Sequence, residues 1–189
     1  MHNPSLLGRH NHENALAALL AARLVGATPS EARRALLEFR ALSHRMELVA
    51  DAKGVAYYDD SKGTNVGAVT AALSGFPRPV VLIAGGKDKG GDYAPLAKAF
   101  AKVGRAAVLI GEAAPLIEAA FAKEMPPEQL VRAQTLAEAV NKAAALAQSG
   151  DAVVLSPACS SFDMFRDYAH RAEVFRLAVR AVVGGEAML

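Results

Sequence analysis

Apolar positions divide this chain into two patterns. Over residues 11–25 they recur at spacings of three and four, which puts Ala15, Leu16, Leu19, Leu20 and Leu24 on one helical face. A second helix is expected to start at Thr28-Pro29, a capping residue followed by the residue favoured in a first turn, and to carry Ala32, Ala35, Leu36 and Phe39. Two helices alone enclose no core, so an exposed apolar face, or a contact replacing a missing neighbour, is expected there. After Ser43 short apolar runs alternate with helical ones. The pattern predicts strands over 46–50, 55–58, 80–84, 106–110, 130–133 and 152–155, and helices over 66–73, 94–101, 113–121, 136–147 and 161–183. Strand and helix alternate five times, which predicts an α/β fold: a Rossmann-like, doubly wound and mostly parallel sheet. A linker over 40–45 then separates a piece at 1–42 from a domain at 43–189, and Met1 to Leu7 carry no clear pattern.

Composition narrows the possibilities. The 189 residues suit one ordinary domain with a small extra piece, and 52% hydrophobic with only 6% aromatic residues implies an aliphatic core. A formal charge of +2, from 21 basic and 19 acidic residues without a like-charged run, argues against a nucleic-acid partner. No apolar stretch is long enough to cross a bilayer, and no charged-then-apolar leader opens the chain, so membrane insertion and export are not expected. A lone Cys159 forms no internal disulfide, and a cytoplasmic location is expected.

Polar residues gather in three segments, 59–65, 85–93 and 156–163, each directly after a predicted strand. In a parallel sheet all three would lie along one edge, where ligands bind. The first, Asp59 to Asn65, packs two carboxylates, an ammonium and small polar side chains between a strand and a helix. It places Lys62, Thr64 and Asn65 where an anion would lie. The same residue types also build ordinary turns, and Thr64 or Asn65 serves equally as a helix cap. In the second segment Lys87 and Lys89 stand among Gly85, Gly86, Gly90 and Gly91, either as a solvated turn or where backbone approaches a ligand. In the third, Ser160 and Ser161 stand near the start of the predicted 161–183 helix, as caps or as carboxylate donors. Cys159 beside them has His170 on the same segment but no orienting carboxylate, so a thiol nucleophile is disfavoured. Asn11 and Asn14 share a helix face suited to a base edge or, equally, to a cap and a surface amide. Arg45 follows His44 at the linker, where a guanidinium reaches ribose or phosphate oxygens. His2, His10, His12, His44 and His170 have no metal-ligand spacing, and no metal site is expected.

Taken together, Gly8 to Leu19 (GRHNHENALAAL), Leu42 to Glu47 (LSHRME), Asp59 to Asn65 (DDSKGTN), Ala84 to Tyr93 (AGGKDKGGDY) and Leu155 to Arg171 (LSPACSSFDMFRDYAHR) resemble, in matching order, the signatures of the Mur ligase family. The resemblance covers the end of the family's central domain and its whole C-terminal domain. The 60–65 and 155–171 marks point to the branch that adds D-glutamate to UDP-N-acetylmuramoyl-L-alanine through an acyl phosphate, with ATP and Mg2+. It implies D-glutamate contacts at Thr64, Lys89, Ser161, Phe162 and Tyr168, catalytic roles for Lys62, Thr64 and Lys89, and nucleotide contacts at Asn11, Asn14, Arg45 and Asp60. Phe162 stands where the family has leucine and Tyr168 where it has phenylalanine. No G-x-x-x-x-G-K-[ST] loop occurs in the chain, so most of the ATP and magnesium site is expected in N-terminal and central domains of a larger ligase, leaving this piece inactive alone. The competing expectations are another Mur ligase or folylpolyglutamate synthase, and a noncatalytic Rossmann-like module that binds a nucleotide or anion.

Overall fold

In the computed structural model, which describes residues 9–40, 42–184 and 187–189, the chain forms two units that divide between Ser43 and His44. Residues 1–7, His2 among them, and Ala41 within the expected linker lie outside the described residues.

The first unit holds α1 (Arg9–Leu24) and α2 (Pro29–Glu38). Thr28 starts α2 through a reciprocal capping box, accepting the Glu31 N–H at 3.3 Å while its own N–H donates to Glu31 Oε2 at 2.7 Å. On α1, Ala15 and Leu19 are half-buried, whereas Leu16, Leu20 and Leu24 are 66%, 63% and 80% exposed. The helical periodicity therefore produces the open apolar stripe it predicts.

The second unit is a six-stranded sheet in the order β1-β2-β6-β3-β4-β5. Its strands are β1 (Glu47–Ala52), β2 (Val55–Asp59), β3 (Val80–Gly85), β4 (Gly104–Ile110), β5 (Leu130–Arg132) and β6 (Ala152–Leu155). All neighbours are parallel except β1, which folds back on β2. That hairpin turns on Lys53 and Gly54, both with positive φ, the conformation of the two-residue turn that suits strand twist. Every residue of β3 and β6 is buried, as unbroken apolar runs require when both faces of a strand are covered. One face carries α3 (Val66–Leu73), α4 (Ala94–Phe100) and α5 (Ala114–Phe121), packed through Val69, Leu96, Phe100, Ile117 and Phe121. The other carries α6 (Leu136–Leu146) and α7 (Tyr168–Val183), packed through Leu136, Val140, Phe175 and Val179. This is the expected doubly wound, mostly parallel arrangement.

One expected helix is corrected. The 161–183 helix begins at Tyr168, so Ser160 and Ser161 do not stand at its N-terminus. Asp167 takes the cap, its Oδ1 accepting the His170 N–H at 2.8 Å, and Asp163 instead accepts the Glu112 N–H at 3.1 Å. Ser161 closes a separate turn, its carbonyl accepting the Phe165 N–H at 2.8 Å. Local acidic side chains thus compete with helix propagation and win.

Candidate functional site

Strands β2, β6 and β3 are neighbours, so the three polar loops that follow them emerge side by side. After β2 and β3 the chain passes to the α3–α5 face, and after β6 to the α7 face. Divergence of neighbouring connections at the strands' carboxyl ends is the setting in which open α/β sheets bind ligands. The loops are stitched by main-chain bonds: Asp60 N–H to Leu155 O at 2.8 Å, Gly85 N–H to Pro157 O at 2.9 Å, and Ala158 N–H to Gly63 O at 2.9 Å. Lys87 and Ser160 exchange N–H to carbonyl bonds at 2.9 and 3.2 Å, a one-residue antiparallel bridge between the second and third loops. Such close passage requires Gly86, whose φ is +131° and whose added Cβ would press on the Ser160 carbonyl oxygen.

Arg171 lies beneath these loops, fully buried on α7. It donates through Nη2 to Ser61 O at 2.9 Å and through Nη1 to Cys159 O at 3.3 Å, tying the first loop to the third. Burial lowers its pKa to about 10, so it stays charged at neutral pH. Among the described residues it has no ion-pair partner, and the two main-chain carbonyls take that place.

In the first loop, His44 Nδ1 and Asp59 Oδ2 are 2.7 Å apart and Asp59 Oδ1 accepts the Ser61 N–H at 2.9 Å. Glu47 completes the one group among the described residues whose spacing suits a metal ion, but it is already engaged with the His44 N–H and Arg176. Asp60 points inward: Ser156 Oγ donates to its Oδ2 at 2.5 Å and the Met46 N–H to its Oδ1 at 3.3 Å. Burial pushes its pKa up from the ordinary 3.8 to about 6, against the opposing pull of the Ser156 bond. The folded state therefore retains a proton that the unfolded chain loses above pH 3.8, and the associated stability is lost as pH rises through about 6. Above that pH the ionised carboxylate costs on the order of 3 kcal/mol. Asp60→Asn is expected to raise the melting temperature at pH 8 by about 5 °C or more, the gain vanishing towards pH 4. Equal melting of the two proteins at pH 8 would contradict this assignment.

Of the lysines, Lys62 is half-buried, with Nζ 3.8 Å from the centre of the Tyr168 ring, and His44 meets that ring edge-on at 6.0 Å. The resemblance implied a pocket role for Tyr168, and the structure joins it to Lys62. Lys87 and Lys89 are exposed on the second loop, and Thr64 is half-buried on the first. Ser161 is 3% exposed, whereas its neighbour Phe162 is 70% exposed. Asn65 caps α3, Oδ1 accepting the Ala68 N–H at 2.9 Å, which was one of its two readings. Arg45 is exposed and favours the ionised form of Asp60. Asn11 and Asn14 lie on α1, in the first unit.

Sequence reasoning missed Ser156, Tyr93 and Arg171, which act beneath the surface residues, and Asp88, which is half-exposed beside them. Ser156 alone carried a signal, as the first polar residue after a buried strand. A cleft of about 420 Å³ at the ends of β4 and β5, lined by Gly111, Glu112, Arg132, Gln134, Asp163 and Met164, was also not anticipated.

Residues 44–159 match the family model "Mur ligase, glutamate ligase domain". The chain is 52% identical over 181 residues to the UDP-N-acetylmuramoylalanine--D-glutamate ligase of Geotalea daltonii, covering 96% of this chain and 39% of that protein. It is 55% identical over 172 residues to the ligase of the same name from Cupriavidus pinatubonensis, covering 91% and 34%. The chain thus spans well under half the length of these relatives. In fold it is similar to UDP-N-acetylmuramate-alanine ligase MurC of Thermotoga maritima, with a TM-score of 0.67 at 16% identity over 93% of this chain and 39% of that one. Folylpolyglutamate synthase of Mycobacterium tuberculosis, solved with ADP and AMPPCP, gives 0.63 at 18% identity over 94% and 40%. With the family's glutamate ligase domain matched over residues 44–159, more than half its length, the chain belongs to the Mur ligase family.

Proposed function

We propose that this chain is the C-terminal part of an ATP-dependent acid–amino-acid ligase that adds D-glutamate to UDP-N-acetylmuramoyl-L-alanine in peptidoglycan synthesis, a cytoplasmic reaction. Residues 43–189 are its amino-acid-binding domain and residues 1–42 the closing helices of a central ATPase domain, whose other parts supply the phosphate-cradling loop and the Mg2+ ligands. The observation that carries this reading is the emergence of the Lys62, Lys89 and Ser161 loops from three adjacent strand ends, in a chain about half identical to ligases of that name.

In this reading a carboxylate oxygen of UDP-N-acetylmuramoyl-L-alanine bonds to the γ-phosphorus of ATP as the bond from that phosphorus to the β,γ-bridging oxygen breaks, giving an acyl phosphate and releasing ADP. The D-glutamate nitrogen then attacks the acyl carbon, phosphate leaves with the C–O bonding pair, and the amine gives up a proton. The reaction needs charge neutralisation at the phosphoryl group and an amine held against a carbonyl. Lys89, Thr64 and Ser161, with Phe162 and Tyr168, hold the amino acid, and Lys62 lies towards the transferring phosphoryl group. Arg45 and Asp60 are nucleotide contacts of the second unit, and Asn11 and Asn14 are nucleotide contacts of the first. Asp60 fits a ribose contact, since Ser156 and Met46 occupy two of the four acceptor positions of its carboxylate.

The test is a ligation assay on the complete protein and on the 189-residue chain. With UDP-N-acetylmuramoyl-L-alanine and ATP, the complete protein is expected to release phosphate with D-glutamate but not with L-glutamate, and the 189-residue chain with neither. In the complete ligase Asp60→Asn should raise the KM for ATP more than that for D-glutamate. Turnover with another amino acid in place of D-glutamate, or with a folate acceptor, would replace this reading, and ligation by the short chain would overturn the division of labour.

A further inference from the structure

Asp88 stands between two exposed lysines and forms an ion pair with neither among the described residues. Its carboxylate accepts the Tyr93 hydroxyl at 2.7 Å. That bond is the largest of the influences that hold Asp88 below the ordinary carboxylate range, and the amides of the following turn act in the same direction. The glycine-rich turn is therefore tied through Asp88 to the Tyr93 hydroxyl.

The far end of this arrangement is anchored in the core. Tyr93 is 5% exposed and packs within the cluster that includes Leu96 and Phe100 of α4. Its oxygen also lies 3.1 Å from Cys159 Sγ. A phenol has one hydrogen, and here it is committed to an anion, so the thiol must donate to the phenol oxygen. Burial raises the pKa of both groups, and both keep their protons at neutral pH. Donation thus runs in one direction, from the Cys159 thiol to the Tyr93 hydroxyl to the Asp88 carboxylate. It joins the loop after β6, bearing Ser160 and Ser161, to the loop after β3, bearing Lys89.

We infer that Asp88, Tyr93 and Cys159 form a clasp that positions Lys89 for its carboxylate ligand by fixing the turn that carries the lysine and holding the Asp88 carboxylate on the Tyr93 hydroxyl. The inference rests on the reading of Lys89 as a ligand of the amino-acid substrate. All three are positioning residues, since they act through Lys89.

Tyr93→Phe tests it, because the ring that fills the core remains and one oxygen goes. In the complete ligase the KM for D-glutamate should rise about tenfold, the consequence of losing one hydrogen bond to a charged group, while the KM for ATP stays within about twofold. Asp88→Asn should act in the same direction, and the double variant should be little worse than either single one, because both break the same chain of bonds. Cys159→Ser, which keeps a donor, should be milder than Cys159→Ala. An unchanged D-glutamate KM in Tyr93→Phe, or an equal rise for ATP, would overturn the clasp. Amide hydrogen exchange on the 189-residue chain separates the clasp from the substrate reading. In Tyr93→Phe, exchange at Lys89, Gly90 and Gly91 should quicken while β3 and β6 stay protected. If it does not, the clasp is wrong whatever the substrate. If it does, and the wild-type ligase ignores D-glutamate, the clasp stands and the substrate reading falls.

Discussion

Lys89→Ala in the complete ligase is expected to cut kcat/KM for D-glutamate by about ten- to a hundredfold, with ATP affinity by calorimetry close to that of the wild type. The lysine is exposed on the loop after β3, beside the loop that carries Ser160 and Ser161, and no ion pair among the described residues occupies it. A charge-assisted hydrogen bond to a carboxylate contributes roughly 1.5 to 3 kcal/mol, which converts to that range of loss. Lys87, two residues earlier, supplies the control. Its backbone forms the bridge to Ser160, so its main-chain role survives truncation and Lys87→Ala should have the smaller effect. A solvated loop lysine would change nothing on removal. Unchanged glutamate kinetics in Lys89→Ala would therefore remove Lys89 from the pocket and leave the D-glutamate reading without its main electrostatic anchor.

Gly85→Ala is expected to be the most damaging single-methyl change to the site. Gly85 ends β3 with φ at +120°, where a side chain is strained. An added Cβ would fall well under 3.0 Å from the Ile110 carbonyl oxygen, an atom of the adjacent β4 that cannot move without breaking the sheet. The Gly85 N–H is also the bond to Pro157 that registers the glycine-rich loop against the loop after β6. Strain and collision together should cost on the order of 4 kcal/mol or more, a large share of the stability of an ordinary domain. Thermal unfolding is expected to show a fall of about 10 °C or more, or no soluble folded protein. Gly75→Ala isolates the two terms, because Gly75 also has positive φ but its added Cβ would meet nothing within 4 Å. It should cost only about 1 kcal/mol. Similar melting of the two variants would mean that β4 yields more readily than the packing implies.

The order of strands and helices, the aliphatic core and the three polar loops at strand ends were legible in the chain itself. The reason is physical: periods of two and of 3.6 residues, the Thr28-Pro29 cap and glycines after apolar runs are local, and local rules need only neighbours along the sequence. The DDSKGTN and SPACSS segments were equally legible, because a ligand site at a sheet edge must place its polar groups just beyond a buried strand. Other features depended on residues far apart in the chain. That β6 inserts between β2 and β3, which makes the three loops neighbours, is set by side-chain packing over the whole sheet. The start of α7 moved from 161 to 168 because Asp163 and Asp167 found partners that no helical pattern announces. The Asp60–Ser156 bond, the buried guanidinium of Arg171 under the Ser61 carbonyl, and the Cys159–Tyr93 contact each join residues 66 or more positions apart. A sequence names the groups available for such bonds, but only the folded chain brings a donor within 3 Å of its acceptor and removes the water that would otherwise satisfy both.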